Sequence, residues 1–260
     1  MKTHFRLGLI VPSSNTTMET ELPEMLRRRS EAEPETFTFH SSRARLQQVT
    51  REELIKMVED SDRCAIELSD ARVDAIAYAC LVALMSQPAG FHCEAEERLA
   101  RVAAENGAPV PVVSSAGALV DAVRALSARK VALIAPYLKP ITARVVDYLR
   151  ESGIEVVDSV SLEVADNLEV GCLDPMQLPE IAQRLDLREA DAVVLSACVQ
   201  MPSLPAIQET EDLLGLPVLS AATATVFRLL QALGLSAVAP GAGRLLAGSL
   251  EVTREPVHAA

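Results

Sequence analysis

Tryptophan is absent from this 260-residue chain and aromatic side chains make up only 3% of it, so it has no stacking surface for nucleic-acid bases. Positive charge is also short: 24 lysines and arginines face 36 acidic residues, for a formal net charge of −12. Such a surface repels phosphate backbones and anionic bilayers, which argues against nucleic acid and membranes as partners. The longest uncharged apolar run, Ala75 to Met85, is too short to span a bilayer. The four histidines, His4, His40, His92 and His258, show no metal-ligand spacing such as HExxH. Five cysteines, Cys64, Cys80, Cys93, Cys172 and Cys198, are odd in number and contain no CxxC pair. That excludes a disulfide framework or a zinc knuckle. The opening residues Met1 to Arg6 lead straight into a strand-like stretch without a signal-peptide layout. The expectation is a cytoplasmic protein with reduced thiols.

What is present is an ordinary globular mixture, 49% hydrophobic and 23% charged, long enough for one large domain or two small ones. Short β-branched runs alternate with helical patterns, the mark of parallel α/β architecture. Strands are predicted at Leu7–Val11, Thr36–His40, Ala75–Ala79, Val110–Ser114, Val131–Ala135, Glu155–Val160, Ala192–Ala197 and Pro217–Ser220. Helical periodicity falls near Met18–Arg29, Glu52–Ala71, Glu94–Asn106, Leu119–Leu126, Ala143–Glu151, Pro175–Asp186, Pro205–Leu214 and Thr223–Leu233.

An eightfold alternation suits a closed barrel, but an internal repeat decides against it. Arg6-Leu7-Gly8-Leu9-Ile10-Val11-Pro12 is echoed by Lys130-Val131-Ala132-Leu133-Ile134-Ala135-Pro136. Asp74 to Cys80 is echoed by Asp191 to Cys198, and Pro111 to Ser115 by Pro217 to Ala221. The matches keep their order, so two similar four-stranded parallel-sheet halves related by a pseudo-two-fold are expected. Residues 1–115 with about 222–260 would form the half carrying Cys80, and 116–221 the half carrying Cys198.

Cys80 and Cys198 each end a third strand, at the sheet edge where ligands bind in open α/β folds. Facing halves would set the two thiols on opposite walls of one cleft. One would act as thiolate nucleophile or base, the other as thiol acid, with the following turn's N–H groups lowering a thiol pKa. Exposed, low-pKa thiols are thus expected at these two positions. Cys64, Cys93 and Cys172 lack repeat partners and read as packing residues. The loop Pro12-Ser13-Ser14-Asn15-Thr16-Thr17 opens a helix and offers N–H and hydroxyl donors to a carboxylate. Its repeat equivalent, Pro136-Tyr137-Leu138-Lys139-Pro140, can present the Tyr137 phenol, and Ser114-Ser115 is a weaker candidate of the same type. Lys139 is the one cation at a strand end. A lid is guessed at Val82–Gly90.

Gly8-Leu9-Ile10-Val11-Pro12-Ser13-Ser14-Asn15-Thr16-Thr17-Met18-Glu19-Thr20-Glu21, Tyr78-Ala79-Cys80-Leu81-Val82 and Ser196-Ala197-Cys198-Val199-Gln200-Met201-Pro202 resemble the aspartate/glutamate racemase superfamily, and within it the maleate cis-trans isomerase branch. The likeness runs over nearly the whole chain. It implies a racemase-like fold with the substrate between the halves, no metal and no organic cofactor, and conversion of maleate to fumarate, often in nicotinate-type degradation. It also implies that Cys80 attacks the double bond and Cys198 exchanges a proton with the neighbouring carbon. Asn15, Tyr137 and Asn167 would hold the carboxylates, and Val82 would lie beside the nucleophile. Ser14, Leu81 and Val199 complete the implied substrate-binding set. The partner is then a small dicarboxylate, and the chain a homo-oligomer, dimeric or larger.

Amino-acid racemases of the superfamily show Cys-Asn-Thr and Gly-Cys-Thr-Glu, where this chain has Cys80-Leu81-Val82 and Cys198-Val199-Gln200. Arylmalonate decarboxylases keep only the second cysteine. The alternatives left open are a racemase, an epimerase or a decarboxylase-like member, and outside enzymes a two-lobed small-acid binding protein.

Overall fold

The computed structural model describes residues 2–250; the last ten residues of the expected first half lie outside that range. Eight strands form two four-stranded parallel sheets. The first holds β1 (His4–Pro12), β2 (Thr36–Ala44), β3 (Ala75–Tyr78) and β4 (Val112–Ser114) in the order β2-β1-β3-β4. The second holds β5 (Lys130–Ala135), β6 (Glu155–Ser161), β7 (Ala192–Ser196) and β8 (Val218–Ser220) in the order β6-β5-β7-β8. The repeat read in the sequence is therefore a repeat of topology, and the barrel is excluded. Strands β3 and β7 are buried along their whole length, which is why they read as unbroken apolar runs. The edge strands β2 and β6 alternate or mix polar residues because one side faces solvent.

Ten helices connect them: α1 (Met18–Arg29), α2 (Arg51–Asp70), α3 (Leu81–Met85), α4 (Phe91–Glu105), α5 (Ser115–Ala125), α6 (Lys139–Glu151), α7 (Asn167–Gly171), α8 (Leu178–Ala182), α9 (Leu204–Leu214) and α10 (Ala221–Ala232). Helix α10 packs against α5 and, on the first sheet's side, against α1, β3 and β4. Among the described residues, the stretch beyond Ala239 contributes one short turn at Arg244–Leu246.

Each repeated motif has a physical cause. Asp74 Oδ2 accepts the N–H of Arg6 at 2.8 Å, and Asp191 Oδ2 accepts those of Arg129 and Lys130 at 2.8 and 2.9 Å. An aspartate at the start of each third strand thus pins the start of the neighbouring first strand. Ser114 and Ser220 close each fourth strand and cap the next helix, accepting from Gly117 N at 3.0 Å and Thr223 N at 3.2 Å. Ser114 also donates to the half-buried Glu96 at 2.5 Å, so it and Ser115, which contacts Tyr78 O and Thr225, serve the core rather than a ligand.

The halves are joined through α1. The buried Glu21 carboxylate accepts Ser203 N at 2.5 Å and Leu204 N at 2.6 Å, capping α9 from the other half. Burial pushes the Glu21 carboxyl above its ordinary range, against the pull of those two N–H groups. Replacing Glu21 by Ala leaves two buried donors without partners. Unfolding in urea should show a loss of about 2–4 kcal/mol, and a loss below about 0.5 kcal/mol would mean the cap is dispensable.

Candidate active site

The ends of β1, β3, β5 and β7 converge on one small cavity. Cys80 and Cys198 both line it, as do Asn15, Tyr137 and Asn167. Leu81, Val82 and Val199, the residues next to the two thiols, complete its apolar wall. Its free space is about 20 Å³, room for roughly one water. A four-carbon diacid therefore requires the wall to move. The cavity holds no lysine or arginine. Lys139 is exposed and lies 3.4 Å from Glu163, away from the site. Among the described residues no group of His, Cys, Asp or Glu is placed to hold a metal ion.

The sulfur atoms differ in their surroundings. Cys80 stands at the N-terminal boundary of α3, and burial pushes its thiol up to about 12, opposed by the Ala83 N–H and reinforced by the nearby Cys198. Burial also raises Cys198, opposed by the Tyr137 hydroxyl, by the Gln200 N–H, which reaches the sulfur at 3.3 Å, and by the Met201 N–H. Burial and the two thiols together hold the Tyr137 phenol far above its usual range. The expectation of exposed, low-pKa thiols is thus overturned. Both are about 96–97% buried, with 3% and 4% exposure, and desolvation outweighs the neighbouring dipoles. The exposed cysteines are instead Cys93 and Cys172, which were read as packing residues; Cys64 is buried as expected.

The loop after β1 also differs from expectation. Its main-chain donors are already taken: Asn15 Oδ1 accepts Thr17 N at 3.1 Å and Met18 N at 2.9 Å, so Asn15 rather than a threonine caps α1. Asn15 Nδ2 donates to Val199 O at 3.2 Å. Ser14 does not line the cavity; its hydroxyl accepts from Asn167 Nδ2 at 2.7 Å and donates to Leu46 O at 2.6 Å. Ser14 therefore orients Asn167 instead of meeting a ligand. Each asparagine amide keeps a second proton, so the cavity's free donors are two amides, while the single O–H of the Tyr137 phenol serves Cys198.

Four lining residues were not singled out by sequence reasoning: Pro12, Leu46, Val49 and Gln200. Leu46 and Val49 come from the connection between β2 and α2, where no pattern marks a site. Gln200 sits in a quoted motif, two residues after Cys198, and that spacing was the available signal. Of the guessed lid at Val82–Gly90, the first part belongs to Leu81–Met85, a fully buried helix packed against α2, α4, α5 and α6, and the partly exposed residues 86–90 lead on to α4.

A family profile described as arylmalonate decarboxylase matches residues 7–246. The maleate isomerase of Geobacillus stearothermophilus is 64% identical over 249 residues, covering 95% of this chain and 99% of that one. The maleate isomerase Iso of Pseudomonas putida S16, solved as a cysteine-to-alanine variant with maleate, matches with a TM-score of 0.94 at 54% identity, covering 95% of this chain and 99% of that chain. The Nocardia farcinica maleate cis-trans isomerase, solved as a cysteine-to-serine variant with a covalently bound succinylcysteine intermediate, matches with a TM-score of 0.90 at 48% identity, covering 94% and 98%.

Thiol accessibility gives a direct check. Iodoacetamide at pH 7.5 should label Cys93 and Cys172 well before Cys80 and Cys198 when peptides are followed by mass spectrometry. Labelling of Cys80 should accelerate about tenfold per pH unit up to pH ~10, since a thiol near 12 gains thiolate in that proportion. Faster labelling of Cys80 at neutral pH would contradict its buried, protonated state.

Proposed function

The chain belongs to the maleate isomerase branch of the arylmalonate decarboxylase family, and from that premise we propose that this isomerase converts maleate to fumarate through a covalent adduct on Cys80. The observation that carries the reading is the meeting of Cys80 and Cys198, one from each repeat, in a single cavity lined by neutral donors. The succinylcysteine found in the Nocardia farcinica relative supports the covalent step.

Rotation about a carbon–carbon double bond requires removal of its π character. Two thiols lining one buried cavity cannot both ionise, and Cys198 raises Cys80. The better-supported anion is Cys198, whose sulfur accepts the Gln200 N–H at 3.3 Å and is also favoured as thiolate by the Tyr137 hydroxyl and the Met201 N–H. In the proposed cycle Cys198 thiolate takes the Cys80 proton as Cys80 sulfur bonds to one alkene carbon of maleate. The π pair moves to the other carbon, and Cys198 delivers the same proton there, leaving a succinyl thioether with a single central bond. After rotation, Cys198 removes a proton from that carbon, the double bond re-forms and the C–S bond breaks. Cys80 sulfur recovers its proton, and fumarate leaves. Proton and electron pair end where they began, so the cycle consumes no cofactor.

Charge building on the adjacent carboxylate needs fixed donors. Asn15 and Asn167 fill that role, joined by Tyr137 once Cys198 has taken the proton and no longer holds the phenol's single O–H, with Leu81, Val82 and Val199 forming the apolar wall around the sulfur atoms. Recognition of a dianion by neutral dipoles in a buried cavity agrees with the absence of a lining cation, because low dielectric strengthens each hydrogen bond.

Following the vinyl protons of maleate by NMR in deuterated buffer tests the reading. Wild type should yield fumarate, and unchanged maleate would reject the assignment. Cys80→Ser should lose at least ~10³-fold in rate, and near-normal turnover would remove Cys80 from the nucleophile role. Cys198→Ser lacks the base that both assists addition and removes the proton that breaks the adduct down, so an adduct one maleic acid heavier should build up slowly on Cys80 without release of fumarate. The raised thiols also give a sign for pH. Both are protonated below their pKa, so kcat/KM should climb across about pH 6–9, whereas a fall over that range would contradict thiolate chemistry.

A further inference from the structure

Gln200 is 2% exposed, yet every polar atom it has is engaged. Its Oε1 accepts Thr16 N at 2.8 Å and Thr17 N at 3.4 Å. Its Nε2 donates to Asn167 O at 2.9 Å, to Ser14 O at 3.2 Å and to Thr16 Oγ1 at 3.3 Å. The main-chain N–H of Gln200 reaches Cys198 sulfur at 3.3 Å, and its carbonyl accepts the Thr17 hydroxyl at 2.7 Å. One residue thus touches the turn that carries Asn15, the residue Asn167 and the second thiol.

The polarity of this arrangement suits an amide alone. Its oxygen faces two N–H groups and its nitrogen faces two carbonyls. A carboxylate satisfies the first pair but sets oxygen against oxygen at Ser14 and Asn167. An apolar side chain leaves both pairs buried and unpaired. A second feature serves the same contact. Gly171, at the end of α7, has no positive φ, yet a Cβ there would fall 2.5 Å from Gln200 Nε2 and 2.8 Å from Thr16 Oγ1. Glycine at 171 clears space for the Gln200 amide.

We propose that Gln200 is a positioning residue that sets the separation of Asn15 and Asn167, the two amides that would receive the two carboxylates of a small diacid, with Gly171 as the opening that admits it. This rests on the diacid isomerase reading above. Gln200 acts through its neighbours and its neutrality: a carboxylate at this place would both break the clasp and add negative charge beside a dianionic substrate.

The test compares wild type, Gln200→Glu and Gly171→Ala with maleate as substrate at pH 5.5 to 8.5, with melting temperatures measured alongside. At pH 8, Gln200→Glu should lose roughly 10- to 100-fold in kcat/KM, most of it in KM. Part of that loss should be regained as the pH falls and the protonated carboxyl donates again to Asn167 O. Wild type should show no such recovery. The ionisable groups around residue 200 are Cys80, Cys198 and Tyr137 in the cavity, Arg43 on the Asn15 carbonyl, Glu21 beneath Ser203 and Asp166 at the start of α7. All are shared by wild type and variant, so a difference between their profiles isolates residue 200. Gly171→Ala should raise KM about tenfold without the new titration. Parallel pH profiles for wild type and Gln200→Glu, or a loss confined to melting temperature, would overturn the role. If Gln200→Glu does not fold, a KM for Gly171→Ala within twofold of wild type overturns it alone. A wild type that leaves maleate unchanged rejects the diacid reading itself, and with it the role given to Gln200.

Discussion

Two thiols in one buried cavity can carry only one negative charge between them, and the rest of the site follows from that constraint. Burial disfavours both thiolates, and Cys198 further raises Cys80. The neighbouring dipoles are unevenly shared. The Tyr137 hydroxyl and the N–H groups of Gln200 and Met201 favour a Cys198 thiolate, while the Ala83 N–H alone favours one at Cys80. An asymmetric pair of this kind can pass a proton from one sulfur to the other. A symmetric or solvent-exposed pair would instead leave both thiols either neutral or open to oxidation.

That asymmetry requires the loops after β1 and β7 to stay in register, and they are tied at several levels. Glu21 caps α9, Thr17 holds the carbonyl of Gln200, and Asn15 holds that of Val199. The Thr17 and Glu21 side chains reach main chain of the opposite half, and Asn15 and Gln200 bond to both halves at once. Satisfied networks of this type in low dielectric are stiff, and stiffness is what fixed donors need if they are to meet charge that appears only during reaction. The same economy explains why the α1 turn, rich in hydroxyls and N–H groups, has so few of them left for a ligand.

Much of the architecture was legible in the chain. All eight strands were located, with ends shifted by a few residues, because β1, β3, β5 and β7 carry apolar runs and the edge strands β2 and β6 mix polar with apolar residues. The repeat excluded the barrel and paired the two cysteines. Two helices escaped notice, α3 and α7, each five residues long. Neither can show periodicity: Leu81–Met85 is buried on every side, and Asn167–Gly171 is barely more than one turn. Both adjoin the site, so the residues they carry were assigned to loops. Ser14 is drawn toward the ligand on chain position, and the fold sends it behind Asn167; Lys139, the one cation noted at a strand end, is exposed.

Residue type and order alone determined the paired α/β halves, the matched thiols and the shortage of cations near them, since hydrophobic period, repeat and charge are local properties of the chain. Only tertiary structure decided how the thiols are solvated, which donors remain free, and that Gln200 joins loops separated by more than 180 positions in sequence. Burial and hydrogen-bond partnership are set by what lies across the cleft. No stretch of sequence carries that information until the two sheets have closed on each other.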